Sequence, residues 1–85
     1  MPSISMFYGI TIMMYYDDHN PPHFYAKYGE DRVSLEINSL KILEGNLPGR
    51  ALGMVVEWAL LHKLELLNEW ENASCGKTLN KINPL

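Results

Sequence analysis

The chain has 85 residues, 47% of them apolar, and a formal net charge of −3. A chain of this length is one domain that buries only roughly 60% of its unfolded surface, so its stability margin is thin and a partner would help it. The apolar fraction argues against disorder, and the scattered basic residues Lys27, Arg32, Lys41, Arg50, Lys63, Lys77 and Lys81 argue against a broad DNA surface. Cys75 is the only cysteine, so no internal disulfide forms. The apolar N-terminal run has no basic leader and is shorter than the ~20 residues of a membrane helix. A cytoplasmic protein without a membrane span is expected.

Residues 3–16 are rich in β-branched and aromatic side chains. Ile4, Met6, Tyr8, Ile10, Ile12, Met14 and Tyr16 share one parity, while Phe7, Met13 and Tyr15 fill the other. The segment therefore reads as one strand, central in a sheet, with Gly9 marking a bend or bulge. Residues 17–22 form a loop, because Pro21-Pro22 removes two backbone donors.

Residues 23–38 then read as a hairpin turning at Gly29-Glu30 or Glu30-Asp31. Phe24, Ala26 and Tyr28 fall with Val33, Leu35 and Ile37 on an apolar side. His23, Tyr25 and Lys27 fall with Arg32, Ser34 and Glu36 on a polar side facing water or a ligand.

A short strand is expected over 40–43. Asn46 is a candidate N-cap and Pro48 suits a first helical turn. The helical region runs over 48–75, with Gly76 as a C-terminal cap and 76–85 as an extended tail. Unbroken, Gly49 to Ser74 would span roughly 39 Å at 1.5 Å per residue. The apolar register changes around Leu60-Leu61-His62-Lys63, so a bend or break is expected near His62. The result is an α+β fold: a small, mostly antiparallel sheet of three to four N-terminal strands on one bent or two consecutive C-terminal helices.

Three constellations carry chemistry. Glu36 would face His23 or Tyr25 across the hairpin, and a carboxylate beside an imidazole poises an acid–base group. His23, Tyr25, Lys27 and Glu36 are thus the catalytic candidates, for an RNA-directed enzyme or toxin. Asp17, His19 and His23 are the candidate ligands for a divalent metal such as Zn. The set is sparse, and the two prolines forbid a helix that would bring both histidines to one face. No other cofactor is expected. The helix over 51–61 is apolar nearly all round, which calls for cover on more than one side. Trp58, Met54 and Leu61 are its partner-binding candidates. Glu65, Glu69 and Glu71 read as a solvated acidic face.

The stretches Pro2-Ser3-Ile4-Ser5-Met6-Phe7-Tyr8-Gly9-Ile10, Asp18-His19-Asn20-Pro21-Pro22-His23-Phe24-Tyr25-Ala26-Lys27-Tyr28-Gly29-Glu30, Leu43-Glu44-Gly45-Asn46-Leu47-Pro48 and Trp58-x3-His62 carry a family likeness. Together they resemble the small bacterial family called domain of unknown function "four-one-six-zero". The resemblance implies no established activity. It implies a protein partner, the product of an adjacent gene, in a toxin–antitoxin-like arrangement; self-association is the alternative. Relatives often carry histidine where this chain has Tyr25, so one candidate ligand is absent here.

Overall fold

A computed structural model describes residues 3–16 and 18–85. Five antiparallel strands form a meander in the order β1-β2-β3-β4-β5, followed by two helices. The strands are β1 (Ser3–Phe7), β2 (Ile10–Met13), β3 (His23–Tyr28), β4 (Asp31–Glu36) and β5 (Ile42–Asn46). The helices are α1 (Gly49–Leu61) and α2 (Lys63–Ser74).

The expected single strand over 3–16 is instead a hairpin, which raises the strand count to five and puts β1 at the sheet edge. Tyr8 and Gly9 form its two-residue turn at φ 49° and 78°. Left-handed φ at both central positions is what a tight hairpin needs. Asparagine usually signals the first of these positions, and here a tyrosine fills it. A bulge between Ser3 and Ser5 shifts the register of β1 against β2.

Gly29-Glu30 links β3 to β4, with Gly29 at φ 61°. The strand expected over 40–43 is displaced to Ile42–Asn46. Leu40 adopts φ 59° and donates its N–H to the Glu36 carbonyl at 2.8 Å, so it belongs to the turn. Asn46 ends β5, and its side chain accepts the N–H of Leu47 at 2.9 Å. Pro48 precedes α1, without a side-chain cap.

The helical break falls at His62, where φ −120° and ψ 24° leave the helical region. Beyond α2 the chain closes a Schellman motif. Gly76, at φ 72°, donates to the Ala73 carbonyl at 3.1 Å, and Lys77 donates to the Asn72 carbonyl at 2.8 Å.

The core lies between the helices and one sheet face, around the fully buried Trp58. Its ring sits 5.5 Å from Phe7 and 6.1 Å from Phe24, centroid to centroid. The tail is docked rather than free. Ile82 is buried and donates its N–H to the Ile4 carbonyl at 2.7 Å, and the Trp58 indole N–H donates to the Asn83 carbonyl at 2.8 Å. Glu69, expected in solvent, is buried and accepts the Asn80 N–H at 2.8 Å. A carboxylate so engaged fixes the tail against α2.

Candidate functional site

The polar side of the β3–β4 hairpin is less wet than the alternation suggested. His23 and Ser34 are buried, while Tyr28, from the apolar side, is 40% exposed. Tyr28 sits at the end of β3, beside the Gly9 turn. His23 sits at the other end, where the 18–22 loop folds back over it.

The backbone of that loop supplies the first contact. His23 Nδ1 lies 2.7 Å from the Pro21 carbonyl, which can only accept, so Nδ1 carries a proton. Nε2 then lies 3.1 Å from Asp18 Oδ2 and 3.2 Å from the Tyr25 hydroxyl. Tyr25 donates to the same Asp18 oxygen at 3.2 Å, closing a triangle. The other Asp18 oxygen accepts the backbone N–H of His19 and meets its ring Nδ1, both at 2.9 Å. Trp70 of α2 lies 5.2 Å from the His23 ring. A cavity of about 220 Å³ opens beside the triangle, lined by His19, Pro21, His23, Tyr25, Ser34, Leu43 and Glu44.

Burial pushes the Asp18 carboxyl upward, but the His19 backbone N–H, the His19 ring, the His23 charge and the Tyr25 hydroxyl outweigh it. The net pKa lies below the ordinary 3.8. Burial, then the charge and hydrogen bond of Asp18, raise Tyr25 above its ordinary 10.0. The signs are opposite. A lowered carboxyl stabilises the fold above its unfolded pKa, and that contribution is lost as pH falls through the folded value. The raised phenol contributes below pH 10 and loses its contribution as pH rises through the folded value. Urea midpoints measured between about pH 2 and pH 7 are therefore expected to fall on the acid side below about pH 4. Asp18→Asn is expected to shallow that fall.

Of the catalytic candidates, the fold brings His23 and Tyr25 together and leaves Lys27 and Glu36 apart from them. Of the two pairings open to it, Glu36 takes the one with His23, yet its carboxylate accepts the Ser39 hydroxyl. Asp18 takes the role foreseen for Glu36. Lys27 is exposed and pairs in register with Arg32. Sequence reasoning missed the part played by Arg32. Its guanidinium lies 5.1 Å from the Tyr25 ring centre and 5.6 Å from that of Tyr15, and it donates to the Tyr15 hydroxyl. Tyr15 and Tyr25 meet edge to face at 4.7 Å. Tyr15 lies past the end of β2 and outside every strand, so the parity read over residues 3–16 does not fix its place.

Of the metal candidates, Asp17 lies outside the described residues. The His19 and His23 rings are 5.4 Å apart, but His19 is open to solvent and both His23 nitrogens are engaged. Among the described residues, no three of His, Cys, Asp and Glu could hold a metal ion. Also among them, no helix is long and apolar enough to cross a membrane.

The partner-binding candidates separate. Trp58 is fully buried with its N–H engaged, so it anchors the core and not a surface. Met54 is half-buried against the core. Leu61 is 67% exposed, beside Leu60 at 65% and Leu64 at 82%. These three leucines line one shallow depression at the α1–α2 junction with His62, Lys63 and Glu65.

The family model described as Domain of unknown function (DUF4160) matches residues 9–71. The chain belongs to this family. The DUF4160 match runs from the first hairpin turn into α2, and so takes in the Asp18–His23–Tyr25 triangle and the leucine cluster. It leaves out β1 and the docked tail. No curated protein and no solved structure matches the chain.

Proposed function

We propose that this chain is a cytoplasmic protein-interaction domain that works with a cognate protein, the product of an adjacent gene, as one half of a toxin–antitoxin-like pair. The observation that carries this reading is the exposure of Leu60, Leu61 and Leu64 together at the helix junction. The α1–α2 break turns all three away from the core, and apolar clusters of this kind mark association surfaces. Each leucine returned to an apolar environment contributes about 1.5–3 kcal/mol when fully buried. The exposed free thiol of Cys75 suits a reducing compartment.

Acid–base chemistry on RNA receives less support. A general base must reach its proton. His23 is buried, and its two nitrogens already meet the Pro21 carbonyl, Asp18 and Tyr25. That arrangement suits a clasp holding the proline loop to β3.

Size-exclusion chromatography with light scattering tests the reading, on the chain alone and mixed with the adjacent gene's product. A mixed complex is expected for the wild type and is expected to be lost in Leu61→Glu/Leu64→Glu. Both positions are open to solvent, so the variant keeps its fold. A protein that ignores that product at roughly tens of micromolar would overturn the reading.

A further inference from the structure

The sheet face away from the helices carries Met6, Thr11, Lys27, Arg32 and Asn46 in register, one from each strand. Lys27 and Arg32 stand directly opposite one another, both exposed. Like charges so placed repel and weaken the sheet. Among the described residues, neither cation makes an ion pair. Glu44 lines the small cavity beside Arg32 but stays outside ion-pair distance. Among the described residues, two adjacent cations on an acidic chain are therefore left without an ion-pair partner.

Arg32 is also oriented in advance. The Tyr15 and Tyr25 rings and the Tyr15 hydroxyl fix its guanidinium, so little freedom is lost when an anion arrives. Its remaining N–H groups suit a carboxylate. Two exposed apolar groups lie towards the same end of the sheet. Met6 is 63% exposed, and Tyr8 is 70% exposed in the left-handed region at φ 49°, a strained backbone for a bulky residue.

We propose that this row docks an acidic segment of a protein partner, with carboxylates on Lys27 and Arg32 and apolar side chains on Met6 and Tyr8. The inference rests on the reading of the chain as an interaction domain, and it adds a second surface with a stated chemistry. Two cations on an acidic chain suit carboxylates better than a nucleic acid, whose affinity grows with each phosphate neutralised.

The test is amide chemical-shift mapping on the full chain at low salt, with three probes. These are a short peptide of alternating Glu and Leu, its Gln-for-Glu counterpart, and a single-stranded oligoribonucleotide. The Glu peptide is expected to shift Thr11, Lys27 and Arg32, and the Gln peptide to bind at least about tenfold more weakly. Lys27→Gln/Arg32→Gln, checked for an unchanged fold by its spectrum, is expected to lose the response. Equal shifts with both peptides, a still row, an undiminished response in the variant, or tighter binding of the oligoribonucleotide would each overturn the proposal. Failure here with the adjacent gene's product still bound removes only this surface. Shifts on this row without any complex with that product remove the cognate-pair reading instead.

Discussion

Trp58→Ala is expected to lower stability by about 3–5 kcal/mol. Domains of this length hold only about 4–13 kcal/mol in total, so the variant is expected to lie near the edge of folding. The size of the effect comes from where the ring sits. Trp58 touches Phe7 of β1, Phe24 of β3 and His62 at the helix break, so its removal opens a void between sheet and helices. It also strips the Asn83 carbonyl of its donor. Urea denaturation of the wild type, Trp58→Ala and Trp58→Phe measures both effects. The phenylalanine variant keeps most of the packing and drops the hydrogen bond, so about 1–2 kcal/mol of loss is expected. A shift below about 1 kcal/mol in the alanine variant would mean that the tail and helices do not close over this ring.

Gly45→Ala is the second large effect, and it comes from backbone geometry. A Cβ at Gly45 would stand 2.1 Å from the Arg32 carbonyl oxygen and 3.1 Å from its carbon. The residue also holds φ 76°. Backbone cannot swing aside as a flexible side chain can, so β4 and β5 must separate. The expected loss is about 2–4 kcal/mol, or at least about 10 °C in melting temperature for a domain of this size. Gly29→Ala is the control. Its φ of 61° is similarly left-handed, but nothing lies within 4 Å of the added Cβ. It is expected to lose about 1 kcal/mol. Equal losses in the two variants would rule out the close approach of β4 and β5 as the cause.

The sequence made some of this architecture legible through strong local rules. The β3–β4 hairpin follows from alternation around a glycine turn, and its register pairs His23 with Glu36. The helix break at His62 follows from the change of apolar register, and the Gly76 cap from a glycine just past the last apolar turn. The β1–β2 turn was hidden because Tyr8 occupies a position that composition assigns to asparagine or glycine. Asn46 reads as a helix N-cap, yet it closes β5, and the left-handed Gly45 before it serves the strand pair. The Asp18–His23–Tyr25 triangle was only half legible. Alternation put His23 and Tyr25 on one side, but the path of residues 18–22 obeys no period, so the choice of Asp18 over Glu36 was invisible. Glu69 is misread from its charge: its spacing puts it on the buried stripe of Leu66, Trp70 and Ala73, and the returning tail supplies the partners its carboxylate needs there.

That returning tail has a consequence for the open edge of the sheet. The Lys81 ammonium reaches the Ser3 carbonyl at 2.8 Å, across a sequence separation of 78 residues, and the neighbouring Ile82 N–H seals Ile4. Contacts this distant along the chain form late, because the intervening loop must first be closed. Until residues 81–83 dock, β1 keeps an unsealed edge and the Trp58 indole lacks its Asn83 acceptor. A partly folded chain with this segment undocked presents β1 to its neighbours, so docking of residues 81–83 guards the protein against edge-to-edge aggregation.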